Sequence, residues 1–439
     1  MSGLRPVLLL TMLSATPMLA QDSTRTLTLG DAARLAAQRS AGATIAHYRA
    51  DEVRARVVQR KADLLPSLSA VYSDGQRTFN TASFGIPFPG FDPNGTIIGP
   101  VRTIDFRARI AMSLYDPAAR ARYHGAQSSA DSAQAGEASA SELAAVTAAA
   151  SYIRVMRADA QLAARAADSS SAAQLLGIAR DQLAAGVGVA LDVTRAESQL
   201  GAVRSQLIAA RNEAGQARMA LQRSLGLASA TSIVLRDSLS IADSEATLPD
   251  AAQAVAVALR TRPELRAATA GIESAQRARD AARAGRLPSV GIFADEGATS
   301  GAYNHLLQTY TYGLQLSVPV FEGRRTEGRI EEQTAVVREA ELRLADLRQQ
   351  IEYEVQSALL DIASATEQVT SADNRLRLAR EETTQARERF TAGVAGNGDV
   401  ITALLSLTAS RTLLVDAQTA LRMAWVSLAK AQGRLRELP

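Results

Sequence analysis

From Val337 to Phe390 the chain returns to an apolar or small side chain at alternating steps of three and four residues. The series is Val337, Ala340, Leu344, Leu347, Ile351, Val355, Ala358, Ile362, Ala365, Val369, Ala372, Leu376, Ala379, Thr383, Ala386 and Phe390. A repeat of this kind held over so many turns is the seam of a coiled coil. Neither 324–390 nor its counterpart 120–183 contains proline, so each predicts one helix, about 100 Å long at 1.5 Å per residue. Helices of that length exclude a compact globular domain. Composition agrees: hydrophobic residues make up 47% of the chain but aromatic ones only 4%, so small side chains, rather than large rings, fill the space between elements.

The chain is also written twice. Leu65-Pro66-Ser67-Leu68 returns as Leu287-Pro288-Ser289-Val290, Ala185-Gly186-Val187 as Ala392-Gly393-Val394, Asp192-Val193 as Asp399-Val400, and Gly226 as Gly433. This divides the chain into a first repeat over 21–230 and a second over 231–439, each a helix, a β-hairpin, a long helix and a further helix. Asp31 and Asp250 are placed as N-caps opening the two repeats. The shorter helices 31–65 and 192–226 are each predicted as continuous, and end to end they match the long helix and can run antiparallel beside it. The offset between halves falls from 222 (Leu65 to Leu287) to 206 (Asp116 to Glu322). The extra 16 residues fall between Phe79 and Pro100, a Gly/Pro/Asn-rich stretch that suits a long loop.

Between the helices the period becomes two. Ile104, Phe106, Ala108, Ile110, Met112 and Leu114 take one face of a strand, while Asp105, Arg107, Arg109 and Ser113 take the other. Tyr310, Tyr312, Leu314, Leu316, Val318 and Val320 alternate in the same way with Thr311, Gly313, Gln315 and Ser317. The preceding segments 67–78 and 289–296 are weaker strands that complete two hairpins. About ten residues is the length of a tilted transmembrane strand. One such strand would equally suit a half-buried soluble sheet. Four of them, beside 100 Å helices and behind an export signal, point to a membrane. That signal is read in residues 1–20, where Arg5 precedes an apolar run and small residues. No later stretch offers 18 consecutive apolar residues, so a closed β-barrel is the spanning structure that remains.

Lys and Arg number 48 against 45 acidic residues, interleaved along the chain with no basic stripe, which excludes a nucleic-acid footprint. Absence of cysteine removes disulfides and lipid attachment at an N-terminal cysteine. His47, His124 and His305 lack ligand spacing, Gly396-Asn397-Gly398 is too short for a phosphate cradle, and no hydrolase, zinc-protease or P-loop motif occurs. No catalytic residue, cofactor or metal site is therefore expected. Trp425 and most tyrosines read as packing, with Tyr310 and Tyr312 suited to an interfacial girdle.

In their order and doubling, the Leu-Pro-Ser-Leu and Leu-Pro-Ser-Val strand starts, the Val-Pro-Val-Phe-Glu-Gly turn at 318–323 and the Ala-Gly-Val motifs, with Asp-Val six residues after the glycine, resemble the TolC-like outer membrane efflux proteins. The resemblance covers nearly all of 21–439. It implies a mainly α fold with a transmembrane β-barrel, in which a homotrimer joins four strands per chain into a 12-stranded barrel. Long antiparallel helical hairpins would form an α-barrel through the periplasm. The function implied is a passive exit duct of a tripartite efflux or type I secretion system, partnered by a periplasmic adaptor and an inner membrane pump. By motif, Asp399, Thr402 and Asp192 fall at the periplasmic constriction, and Gly186, Val187, Gly188, Gly393 and Val394 at the tips that meet the adaptor. Asp105, Arg107, Arg109, Gln315 and Ser317 would line the barrel lumen. The chain departs from the family arrangement where Thr402 replaces a second carboxylate, Ala395 offers no latch arginine and Phe390 lacks a hydroxyl. The residues by themselves also allow Asp192 and Asp399 to be plain N-caps. They leave open a periplasmic adaptor, which the doubling and the strands oppose, and a structural coiled coil, which leaves the strands unexplained.

Overall fold

The computed structural model describes residues 25–84, 92, 95–228, 231–240 and 248–438. The export signal expected over 1–20 and much of the 79–100 loop lie outside the described residues. The elements are β1 (Arg25–Leu27), α1 (Leu29–Arg39), α2 (Ala41–Ala62), β2 (Ser67–Asn80), β3 (Ile97–Tyr115), α3 (Pro117–Ala184) and α4 (Ala190–Ser224), followed by β4 (Ile233–Leu235), α5 (Ala251–Thr261), α6 (Pro263–Ala284), β5 (Ser289–Ser300), β6 (Leu307–Ser317), α7 (Arg325–Thr391) and α8 (Asn397–Ala431). The succession of two short helices, a hairpin, a long helix and a shorter one thus occurs twice.

The long helices α3 and α7 have 68 and 67 residues. Asp116 caps α3 by accepting the Ala119 N–H at 2.8 Å, with Pro117 just inside. Both helices end alike: Gly186 and Gly393 take φ of 76° and 73°, and the N–H groups of Val187 and Val394 bond back to Gln182 and Arg389 at 3.0 Å. This closure requires a left-handed residue, which glycine adopts without penalty. Along α7 the seam buries Ile351, Val355, Ala358, Ile362, Ala365, Ala372, Leu376 and Ala379, as the three–four spacing requires.

Of the two short helices expected to be continuous, 192–226 is unbroken as α4, and 31–65 is interrupted. Residues 31–65 break at Ser40, whose backbone is extended and whose hydroxyl accepts the Ala43 N–H at 3.2 Å, so α2 has its own N-cap. In the second half the break falls at Arg262, held extended before Pro263. The C-terminal glycine of α4, Gly226, abuts the first break so tightly that a Cβ would come 2.6 Å from the Arg39 carbonyl oxygen. Thus α2 and α4 meet end to end beside α3, α6 and α8 do so beside α7, and α1 and α5 sit at the junctions. Asp31 does not cap α1: Thr28 does, and Asp31 returns the bond to the Thr28 N–H as a capping box. A hydrogen bond from Arg34, then those from Thr28, hold the Asp31 carboxyl below its usual range.

The sheet is antiparallel in the order β2-β3-β5-β6, so the two hairpins join through β3 and β5. Its strands have 14, 19, 12 and 11 residues. The first hairpin therefore outgrows the ten-residue expectation, because part of the insertion continues the ladder to Asn80 and Ile97. Strand β6 stops at Ser317, which leaves Val318 and Val320 in the following turn. A pairing not foreseen joins β1 to β4 in parallel. Beneath it the fully buried Tyr152 donates its hydroxyl to the Leu27 carbonyl at 2.8 Å, and burial pushes its phenol above the ordinary range. Helix α8 is long and apolar enough to cross a membrane by length and composition, but its apolar residues join clusters with α7 and α3.

At the second break Arg262, 5% exposed, reaches Glu354 of α7 at 2.7 Å and Glu264 at 3.3 Å. Burial raises the Glu354 carboxyl, but the hydrogen bond and charge of Arg262 outweigh it and hold the group below its ordinary 4.5. The pair's contribution is therefore complete above about pH 4.5 and fades as the pH falls through the lowered value. Glu354→Gln should cost about 1–3 kcal/mol at neutral pH, and thermal unfolding of variant and wild type should converge as the pH falls through the lowered value of Glu354.

Candidate functional site

Two regions collect the residues singled out from the sequence: the polar face of the sheet and the far ends of the helical hairpins. Register assigns the faces. Arg109 stands opposite Ser69 on β2 and Asp295 on β5, and Asp295 stands opposite Thr311 on β6. Between the register shifts at Arg77/Phe79 and Ser113/Tyr115, the odd-numbered residues of all four strands therefore share one face. The other carries Leu68, Ala70 and Tyr72, then Phe106, Ala108, Ile110 and Met112, then Ile292 and Ala294, then Tyr310, Tyr312, Leu314 and Leu316. On β3 the apolar run from Ile104 to Leu114, at about 3.4 Å per residue and a tilt near 40°, is about 26 Å tall, the apolar height of an outer membrane barrel. On β5 it is interrupted by Glu296, which stands opposite Ala108 and accepts from Gln308 at 2.7 Å. Toward the loops this face turns polar, where Asp74 takes Arg102 at 2.9 Å and Tyr303 bonds Tyr72 at 2.7 Å.

On the charged face Arg107 is anchored. It pairs with Asp295, lies 3.3 Å from Asp105 and donates to Thr309 Oγ1 at 3.2 Å, so one side chain ties β3, β5 and β6. Gly297 makes room for that crossing: a Cβ there would meet the Phe106 carbonyl oxygen at 2.3 Å. Arg109 instead lies over the Phe293 ring, 5.4 Å from its centroid. Gln315 and Ser317 share this face near the helix end of β6. Sequence reasoning named Asp105, Arg107, Arg109, Gln315 and Ser317 but missed Asp295 and Phe293. The odd positions of 289–296 contained that signal, had their alternation been followed as closely as that of 104–114.

At the other end the two hairpin tips pack together. Ala172, Leu175, Leu176 and Ala179 of α3, Ala196 and Leu200 of α4, Phe390 of α7, and Val400 and Leu404 of α8 form one buried cluster. Gln182 donates to the Phe390 carbonyl at 3.1 Å, and the fully buried Asn397 donates Nδ2 to the Asp192 carbonyl at 2.8 Å. Asn397, read from the sequence only as part of a glycine segment too short for a phosphate cradle, thus joins the tips together with Gln182. Gly186, Val187, Gly393 and Val394 are exposed and Gly188 half-buried. Asp192 and Asp399 are not N-caps: Val189 and Gly396 hold those positions without side-chain bonds, and the two carboxylates stand in the first turns. There they face free N–H groups and the positive end of the helix dipole. Asp399 is exposed, Asp192 half-buried, and Thr402 turns its hydroxyl to the Gly398 carbonyl at 3.0 Å. No hydrogen bond joins these three to one another within the chain.

Farther up, Asp168 of α3, its side chain 3% exposed, lies between Arg165 at 3.1 Å and Arg411 of α8. Arg165 continues to Thr412 at 2.7 Å. Nearby Arg387 has a shielded Nη2 without acceptor, and burial and then the charge of Arg411 lower its pKa. One carboxylate thus holds the two repeats together against an excess of positive charge. A cavity of about 680 Å³ beside Trp425, Val257 and Arg422 is lined by none of the constriction, tip or lumen residues named from the sequence.

A sheet largely apolar on one face and charged on the other, standing on paired helices of about 100 Å, is the layout of a membrane channel protein rather than of a compact domain. The chain belongs to the outer membrane efflux protein family, whose pattern matches residues 33–227 and 254–434. It is 27% identical over 192 residues to the alkaline protease secretion protein AprF of Pseudomonas aeruginosa, covering 41% of this chain and 38% of that one. It is 24% identical over 265 residues to the outer membrane efflux protein BepC of Brucella suis, covering 58% and 56%. The chain thus spans between about two fifths and three fifths of the length of these relatives. Its fold is that of CusC, with a TM-score of 0.76 at 19% identity over 92% of this chain and 91% of the other.

Asp168→Ala should destabilise the protein by about 3–5 kcal/mol, because it strands buried arginines. Asp159→Ala, which removes the exposed pair with Arg218, should cost less than about 1 kcal/mol. Helical unfolding followed in detergent separates the two.

Proposed function

We propose that three copies of the chain assemble into a passive exit duct, a 12-stranded barrel in the outer membrane continued by a helical tunnel into the periplasm. The observation that carries this reading is the amphipathic four-stranded sheet, both of whose outer edges are unpaired among the described residues, mounted on two helical hairpins. Unpaired edges are not tolerated in lipid, and copies of the same sheet are the simplest means of closing them. The repeats 21–230 and 231–439 then supply one hairpin of each kind. The apolar face meets lipid, and Asp105, Arg107, Arg109, Gln315 and Ser317 line the lumen.

The duct catalyses nothing and carries no cofactor. It takes its energy from an inner membrane pump reached through a periplasmic adaptor whose hairpins seat on Gly186, Val187, Gly188, Gly393 and Val394, where small residues allow close backbone approach. Family membership supports this over an isolated adaptor or scaffold. Small molecules and polypeptides are both suitable cargo: AprF is named for protease secretion and BepC for efflux. Asp399, with Thr402 and Asp192 beside it, forms the constriction. Three exposed carboxylates brought together there favour cations and offer a multivalent ion a blocking position.

Single-particle imaging of the detergent-purified protein tests the assembly. A three-fold tube longer than about 100 Å with a micelle at one end is expected, and a micelle-free monomer overturns the reading. In planar bilayers Asp399→Asn should lower cation preference and relieve block by trivalent metal ions. Unchanged selectivity and block would confine Asp399 to its helix start.

A further inference from the structure

Resting on the duct reading, we propose that Arg109 and Phe293 of the three chains form a collar inside the barrel that binds aromatic anions. The two arginines of β3 on this face differ in what they are free to do. Arg107 is occupied by Asp295, Asp105 and Thr309. Arg109 has no carboxylate or hydrogen-bond partner among the described residues, only the Phe293 ring beneath its guanidinium. A cation–π contact of this kind does not use up the guanidinium N–H donors, whose planar fork takes a carboxylate or sulfonate through two parallel hydrogen bonds. A ring attached to that anion can pack against Phe293.

Phe293 is placed against the pattern of its strand, where Ile292 and Ala294 take the apolar face and Phe293 the charged one. Its seat is built for it: Gly313 stands opposite on β6, and a Cβ there would come within 2.9 Å of the ring. The ring thus lies flat across the neighbouring strand as an aromatic floor beside the arginine. Nearer the loops the pairing recurs, with the Arg77 guanidinium 4.3 Å from the centroid of the Phe79 ring. Arg77 stands opposite Val101 on the same odd-numbered face. Over the whole face Arg77, Arg107 and Arg109 oppose Asp105 and Asp295, which leaves an excess of one positive charge per chain. In a water-filled bore with low-dielectric walls that excess concentrates anions. The collar therefore has the opposite sign to the carboxylates at the hairpin tips and selects a different part of a cargo molecule.

The test records single channels of the full-length protein in planar bilayers, with pyrene trisulfonate added on the barrel side and a trivalent metal ion on the hairpin side. The dye should block wild type, and the concentration for half-block should rise about tenfold in Arg109→Gln and several-fold in Phe293→Leu. Metal block should persist unchanged in both variants, which certifies an assembled channel. Arg109→Lys, which keeps the charge without the planar edge, should fall between wild type and Arg109→Gln. Equal dye block in wild type and all variants overturns the collar. Absence of any conductance in wild type overturns the duct reading itself, a distinct result.

Discussion

A backbone amide or carbonyl left without a partner in hydrocarbon costs several kcal/mol, and the upper half of this molecule is organised by that cost. Among the described residues, strands β2 and β6 each leave one edge unpaired, while the face between them is largely apolar. The helices meet the same demand from below. End-to-end joining of α2 with α4, and of α6 with α8, makes four helical columns to carry four strands, so sheet and helices can close around one axis in equal number. The breaks at Ser40 and Arg262 belong to this arrangement, because each lies where one short helix gives way to the next and where Gly226 or Gly433 approaches within van der Waals contact.

Hairpin tips face a different problem. They lie far from the membrane and cannot borrow order from it, so the chain supplies its own: a buried apolar cluster, the Asn397 and Gln182 bonds to backbone carbonyls, and the Asp168 bridge above them. All of these join the first repeat to the second. The glycine turns that project beyond this region are tied only to their own helices, which leaves their backbones accessible.

Periodicity made the fold legible. The three–four seam and the two-residue alternation each reflect burial on one side of an element, and both survive in a single sequence because one face of every element is fixed. Position-specific chemistry was less visible. Asp31 looked like a cap because a short acid opens the helix, but Thr28 lies three residues earlier, and only geometry tells which of the two is extended. Ser40 and Asn397 are small polar residues of a kind that occurs throughout the chain, and their importance comes from what they touch 3 to 205 residues away. Arg107 and Arg109 alternate alike in sequence; it is strand β5 beside them that gives one a second carboxylate, Asp295, and the other the Phe293 ring.

The parallel pair β1 and β4 bears on how the chain is made as well as on how it stands. Residues Arg25–Leu27 find their partners only at Ile233–Leu235, and Tyr152, midway between, touches both the first strand and Asp237. A polypeptide delivered from its amino end therefore keeps its first segment waiting until the whole first repeat has emerged, and then fastens that repeat into a ring before the second has formed. Leu435 in turn donates its N–H to Glu142 near the middle of α3, so the turn that follows α8 rests on the long helix of the first repeat.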